Sequence, residues 1–248
     1  MSFRDRLRAG EVLAGTWVKT PNPIVVEVLA LTALDCLVLD AEHAPFDRTA
    51  IDLCIMAARA GGKTVIVRPP SAAPEHILNA LDCGADGVIL PHIASVAAAE
   101  AAVRACSYTR NGRGYAGTSR SAGYASIPMA AHRANAGGIT VIAQIEDVEG
   151  VEDIDAIAAV PGIDALFIGR ADLTIAYGAA SSDDPRVVAA VERVVAAGVA
   201  AGRTTGMFLP RTSDVAHWRE RGSRLFILAS DHDFIRAGAA QLVAEVAG

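Results

Sequence analysis

The chain has 248 residues, 52% hydrophobic and 20% charged, with a formal net charge of −6. That is enough apolar material for a large buried core, and the sign argues against general nucleic-acid binding. Charged residues interrupt every apolar run before it reaches the roughly 18 residues of a membrane span. The N-terminus, MSFRDRLRAGEVLAG, is charged and has no apolar signal core, so a cytoplasmic protein is expected. Cys36, Cys54, Cys83 and Cys106 form no C-x-x-C pair, and Cys36 and Cys54 read as core thiols rather than zinc ligands or disulfide partners.

In chain order, residues 3–9 read as a short amphipathic helix ended at Gly10, and residues 13–19 as a first strand with Trp17 near its end. Asn22 caps a helix to about Ala33. Residues 36–39 are a second strand that runs into Asp40, Glu42 and His43, and Asp47 caps the next helix, which stops at Gly61. Residues 64–67 form a third strand ending at Arg68, where Pro69 and Pro70 disfavour helix. Pro74 opens a helix carrying Asp82. Residues 87–90 are a fourth strand, ended by Pro91 and His92, and Ser95 caps an Ala-rich helix to about Cys106.

The rhythm breaks at residues 107–126, a polar stretch of glycines, tyrosines and arginines read as a long excursion above the sheet, of the kind that usually carries function. Within it, Arg113 and Arg120 either clamp an anion or pin the loop. A short helix over residues 128–135 leads to a fifth strand, VIAQI, buried on both faces and ending in Gln144, Glu146 and Asp147. Asp147 reads as the N-cap of a helix to Ala159. Residues 165–168 are a sixth strand, followed by residues 169–172. Pro185 starts a long helix, residues 204–208 are a seventh strand, and Ser213 caps a helix to Gly222. Residues 225–228 are the eighth strand, and Asp231 caps a last helix over residues 233–246. Eight strands alternating with helices, with no linker between them, predict one (β/α)8 TIM barrel spanning residues 1–248.

A barrel collects Trp17, Asp40, Glu42, His43, Arg68, Gln144, Glu146 and Asp172 at the C-terminal ends of its strands, the face where such folds keep their chemistry. Each residue alone reads as a helix cap or a structural polar group, so the argument rests on their convergence. Glu146 and Asp172 form an all-oxygen pair suited to a hard divalent ion such as Mg²⁺ or Mn²⁺. His43 is then free to act as a base, and Arg68 to stabilise an oxyanion. Lys63 stands at the wrong end of the third strand and Lys19 at the edge of the first, so a Schiff-base mechanism lacks a well-placed amine. A divalent metal, a base and an arginine suit an enolate made from a 2-oxo acid.

Leu39-Asp40-Ala41-Glu42-His43-Ala44-Pro45, Val67-Arg68, Gln144-Ile145-Glu146, Ile168-Gly169-x-Ala171-Asp172-Leu173 and Gly112-Arg113-Gly114-Tyr115-Ala116-Gly117 carry a resemblance to a known family. The chain resembles the HpcH/HpaI aldolases, class II pyruvate-dependent enzymes of the 4-hydroxy-2-oxoheptanedioate aldolase type, over nearly its whole length. The resemblance implies aldol cleavage or addition between pyruvate, or a 2-oxo acid such as hydroxypyruvate, and an aldehyde, with Mg²⁺, Mn²⁺ or Co²⁺ held by Glu146 and Asp172. It implies that His43 is the base, oriented by Asp82, and that Arg68 stabilises the enolate. It also implies that Gln144 positions pyruvate and that the amides around Ala171 and Asp172 hold its carboxylate. The aldehyde side is expected from residues 107–126, Phe208 and Leu209, with Trp17 also lining the substrate site. A hexamer, a trimer of dimers with the last helix packed on a neighbour, is implied as well. Arg170 stands where the family usually has Pro; its side chain either leaves the site for a carboxylate or reaches over the metal rim. Two other classes stay open: a citrate-lyase-like or malyl-CoA-lyase-like enzyme, and a non-catalytic binding homologue.

Overall fold

A computed structural model describes residues 1–247. The elements are α1 (Phe3–Arg8), β1 (Leu13–Val18), α2 (Pro23–Ala30), β2 (Cys36–Asp40), α3 (Arg48–Ala60), β3 (Thr64–Arg68), α4 (Pro74–Asp82), β4 (Gly87–Leu90), α5 (Val96–Cys106), α6 (Met129–Asn135) and β5 (Thr140–Ile145). They continue as α7 (Val148–Glu152), α8 (Ile154–Ala159), β6 (Ala165–Ile168), α9 (Arg170–Ala176), α10 (Pro185–Ala200), β7 (Thr204–Leu209), α11 (Val215–Glu220), β8 (Ser223–Ser230) and α12 (Asp231–Ala247). The eight strands are parallel and close in sequence order, β8 pairing back onto β1, so the expected (β/α)8 barrel is the observed fold. Among the described residues no helix is long and apolar enough to cross a membrane.

Strand parity positions the site. Successive strand residues face opposite sides. Leu37 and Leu39 of β2 pack outward against the helices, while Cys36 and Val38 pack inside the barrel with Ile66, Ile89, Ile142, Ala165 and Phe167. Three of these inward rows, continued by two residues toward the C-terminal end, reach a polar group: Asp40 after Val38, Arg68 after Ile66, Gln144 and then Glu146 after Ile142. Register seats Asp40 directly beside Arg68 across the β2–β3 pair. The N-terminal end is closed by α1, whose Phe3 and Leu7 are buried in the same interior cluster. Ser2 and Asp5 form a capping box for that helix. Arg4 and Arg8 clamp it to the buried Asp164 at 2.9 and 2.7 Å, and Asp164 also accepts from the Val141 amide.

Three expectations need correction. The helix drawn from Asp147 to Ala159 is two helices, broken at Asp153. The last helix begins at Asp231, whose carboxylate accepts instead from the Lys19 and Thr20 amides after β1. Ser213 does not cap α11; it lies in a 3-10 turn and bonds its neighbour Asp214.

The largest correction concerns residues 107–126. They follow α5, which returns from the C-terminal to the N-terminal ends of the strands, so the excursion lies beneath the barrel rather than above it. There Arg113, Ser121 and His132 line a cavity of about 460 Å³ together with Thr64, Asp86 and Thr140, at or beside the starts of β3, β4 and β5. Arg113 bonds Asp82 at 2.6 Å and Arg120 bonds Asp52 through two contacts, so both arginines pin the loop.

Asp164→Ala should leave Arg4, Arg8 and the Val141 amide without their acceptor. We expect a loss of about 2–4 kcal/mol in urea unfolding, discounted because both arginines can reach water. A loss below 0.5 kcal/mol, on the order of an ordinary surface change, would show that α1 is held by Phe3 and Leu7 alone.

Candidate functional site

A fully buried carboxylate organises the barrel mouth. Asp40 accepts from Arg68 Nε and Nη2 at 3.0 and 2.8 Å, from Lys19 Nζ at 2.5 Å and from the His43 amide at 3.2 Å. Burial alone would raise this carboxyl, but Arg68 and Lys19 outweigh it and hold it below its ordinary value. Arg68 is buried; its guanidinium lies 4.2 Å over the Trp17 ring, which meets Phe167 edge-on, and its Nη1 stands 3.2 Å from Glu42 Oε2. Lys19 is thereby committed to an ion pair, and Lys63 donates to the Thr32 and Leu34 carbonyls at the other end of the barrel. Neither amine is disposed as a Schiff-base nucleophile.

Glu146 is 2% exposed, its Oε1 accepting from the His92 amide at 2.8 Å and its Oε2 from Gln144 Nε2. Burial raises the Glu146 carboxyl, Gln144 and His92 pull it down, and the negative charge of Asp172 adds to the rise. Gly169 makes room for it: a Cβ there would stand 2.7 Å from Glu146 Oε2. Burial also raises Glu42 against the pull of Arg68. Burial disfavours a charged His92, but Asp147, Glu146 and Glu42 together outweigh it and raise its pKa.

One ligand atom from each of Glu42, His92 and Glu146 lies within 4.8 Å of the others. Glu42 Oε2 and Gln144 Oε1 are buried acceptors without hydrogen bonds. Carboxyls raised first by burial, an imidazole raised by three neighbouring carboxylates and two buried oxygens without hydrogen bonds describe a polar pocket short of donors and positive charge. A divalent cation fits that environment.

The other expected residues fall in different places. His43 is exposed at the mouth, with Nε2 3.8 Å from Glu42 Oε2. Asp172 and the exposed Ala171 are in the first turn of α9, which no side chain caps. Trp17 and Leu209 are buried at the ends of β1 and β7. Asp82 ends α4 beneath the barrel, against Arg113, so the pairing of Asp82 with His43 is not made within one chain. Arg170 turns away from the carboxylates: it donates to the Ser182 carbonyl at 3.3 Å, stands 3.8 Å from Asp183 and lies 5.7 Å over Trp218. Of its two readings, the structure takes the one in which the side chain leaves the site. Sequence reasoning passed over His92 as a strand end. The signal available was its place at the end of β4, beside the strand that delivers Glu146.

Comparison with known proteins identifies the family and the fold. The family profile for HpcH/HpaI aldolase/citrate lyase matches residues 13–237. A 5-keto-4-deoxy-D-glucarate aldolase from Escherichia fergusonii is 34% identical over 97% of this chain and 94% of its own length. A crystal structure of an HpcH/HpaI aldolase/citrate lyase family protein from Burkholderia cenocepacia J2315 superposes with a TM-score of 0.94 at 32% identity, covering 99% of this chain and 98% of the other. The citrate synthase SbnG superposes with a TM-score of 0.88 at 30% identity, covering 99% of this chain and 97% of its own.

Asp40→Asn should strand the charges of Arg68 and Lys19. We expect a loss of about 3–5 kcal/mol, read by urea unfolding. Because the folded carboxyl sits below its ordinary value, its contribution is complete above the unfolded value of about 3.9 and is lost as pH falls through the folded value. The gap between wild type and variant should therefore hold steady near neutrality and narrow in acid. A gap that widens in acid would reverse this account of Asp40.

Proposed function

We infer the reaction from a plain premise: the chain belongs to the HpcH/HpaI aldolase/citrate lyase family. It is a carbon–carbon lyase, a class II aldolase that joins or cleaves a 2-oxo acid of the pyruvate type and an aldehyde. The observation that carries the reading is Arg68, held by Asp40 and Trp17 beside a buried carboxylate cluster with unsatisfied oxygens.

Glu146 and Asp172 would hold the divalent cation, Mg²⁺, Mn²⁺ or Co²⁺, which when bound would supply Lewis acidity to the 2-oxo acid. Arg68 meets the negative charge that grows on the ketone oxygen when the methyl proton leaves, and its anchors spare it reorganisation at that moment. His43 exchanges protons through water. In cleavage it takes the hydroxyl proton of the aldol, the carbon–carbon bond breaks, and its electron pair moves toward the ketone oxygen to give the enolate and the free aldehyde. Protonation of the enolate carbon completes pyruvate. Gln144 positions the 2-oxo acid, the amides of Ala171 and Asp172 take its carboxylate, and Trp17 and Phe208 form walls; the side chain of Leu209, expected there from the sequence, instead packs outward against the helices. The uncapped first turn of α9 supports the amide assignment, since its N–H groups have no side-chain acceptor.

The substrate to try first is a 4-deoxy-5-keto hexarate, the compound class in the name of the Escherichia fergusonii relative. Cleavage between its methylene and hydroxyl-bearing carbons yields pyruvate and a three-carbon aldehyde acid. The working state we propose is a cytoplasmic homo-oligomer, a hexamer built as a trimer of dimers. Exposed Ile235, Leu242, Val243 and Val246 on α12 support a neighbour packed on that helix. In such an assembly Asp82 of one copy would act on His43 of the next, the route left for that pairing by their placement at opposite ends of one barrel.

Turnover should vanish on exhaustive chelation and return with Mn²⁺ or Co²⁺, and borohydride with pyruvate should trap no adduct. A trapped adduct, or full activity after chelation, overturns the assignment.

Pyruvate methyl exchange in deuterated water separates the roles. Arg68→Ala should abolish exchange together with aldol cleavage. His43→Ala should lower turnover by about 10²-fold or more with bound metal unchanged. Normal exchange in Arg68→Ala would confine that residue to the aldehyde half, and metal loss in His43→Ala would make the histidine a ligand.

A further inference from the structure

We propose that His92 is a nitrogen donor to the divalent ion held at Glu146 and that Asp147 orients it, so the site selects borderline transition ions, Co²⁺, Ni²⁺ or Zn²⁺, over Mg²⁺. The inference rests on the ion site proposed above and goes beyond it in adding a nitrogen to a site otherwise read as all-oxygen.

The backbone is the first support. His92 has φ 55°, in the left-handed region that residues with a Cβ seldom adopt. That bend points its amide at Glu146 Oε1, at 2.8 Å, and brings the ring over the carboxylates. Nδ1 is 3.1 Å from Asp147 Oδ2 and 3.5 Å from Glu146 Oε1, while Nε2 is 3.9 Å from Glu42 Oε1.

The second support is Asp147. It stands at the N-cap of α7, but its side chain makes no capping hydrogen bond and meets His92 Nδ1 instead. A carboxylate on Nδ1–H leaves the Nε2 lone pair free, the arrangement that orients histidine ligands in metal sites. Nε2 then lies on the side of Glu42.

The third is spacing. Ligand atoms from Glu42, His92 and Glu146 all lie within 4.8 Å of one another, on the scale of the roughly 4.2 Å span of atoms bound about 2.1 Å from one ion. Gln144 Oε1 is a buried, unpartnered acceptor on a residue that is 1% exposed and bonded to Glu146 in that cluster. An imidazole raises affinity for Co²⁺, Ni²⁺ and Zn²⁺ far more than for Mg²⁺, which favours oxygen and water.

The test is direct binding to the metal-free full-length enzyme, by calorimetry or chelator competition, with Mg²⁺, Mn²⁺, Co²⁺ and Zn²⁺. It is joined by electron spin-echo detection of nitrogen coupled to bound Mn²⁺. His92→Ala should weaken Co²⁺ and Zn²⁺ by about 10–100-fold, change Mg²⁺ by less than about threefold, and remove the nitrogen coupling. Asp147→Asn should weaken Co²⁺ by a smaller factor and add nothing in the His92→Ala background. Unchanged Co²⁺ affinity in His92→Ala, equal losses for Mg²⁺ and Co²⁺, or a nitrogen signal that survives in His92→Ala and disappears in His43→Ala would each overturn the proposal. Glu146→Gln separates the two layers: if it keeps wild-type affinity for every ion, the site itself is misplaced. If it loses them all while His92→Ala binds normally, only the histidine assignment fails.

Discussion

Asp40 is the constraint from which the barrel mouth follows. A carboxylate with no exposed surface needs compensation, because leaving it charged and unpaired would cost several kcal/mol. It takes that compensation from three directions, with Arg68 across the β2–β3 register, Lys19 from the end of β1 and the His43 amide from its own loop. Each interaction spends a group on a fixed position. Lys19 is no longer a free amine, the loop carrying Glu42 and His43 is tied down, and Arg68 is left with its Nη1 edge toward Glu42 and its face on Trp17. An always-charged group immobilised this way can stabilise growing negative charge without first rearranging.

The same mouth sorts its charges into two zones. On the β1–β3 side, Lys19 and Arg68 outweigh burial and keep Asp40 ionised. On the β4–β6 side, Glu146 lies beside Asp172 with only hydrogen-bond donors to help it, and burial pushes its carboxyl up. Glu42 lies between the zones, touched by Arg68 on one side and by His92 on the other. The cation proposed above would complete the second zone and leave the first as it is. The two halves of an enolate reaction, activation of the ketone and stabilisation of its oxygen, can thus be served from opposite sides of one substrate.

Much of this was legible in the sequence because strands convert order into direction. The alternation through Cys36, Val38 and Asp40, or through Ile142, Gln144 and Glu146, puts the polar ends on the inward rows, and eight repeats of strand and helix leave closure as the economical topology. Three features were less legible for identifiable reasons. Residues 107–126 were expected above the sheet on composition alone, whereas connectivity decides the matter: a segment after a returning helix lies at the N-terminal face. Asp147 and Asp231 occupy cap-like positions in the sequence, but a carboxylate beside a helix start can serve another partner, and here they take His92 and the Lys19 and Thr20 amides. Arg170 differs from the usual Pro, and both residues suit the first turn of a helix. Only the positions of Ser182, Asp183 and Trp218 reveal where its side chain goes.

The placement of Asp82 carries the argument one step further. A (β/α)8 barrel separates its two faces by the length of its strands, so a helix-end residue beneath the sheet cannot assist chemistry above it in the same copy. Arg113 holds Asp82 at 2.6 Å, and the guanidinium lies 4.7 Å over Tyr108, so Asp82 sits in a fixed, buried ion pair rather than on a loose end. Apolar side chains exposed along α12 and on α2, where Ile24, Val28 and Leu31 face solvent, give the same chain faces that association would bury. With His43 exposed at one end of the barrel and the Asp82–Arg113 pair fixed at the other, the proposed pairing of Asp82 with His43 requires contact between copies rather than motion within one.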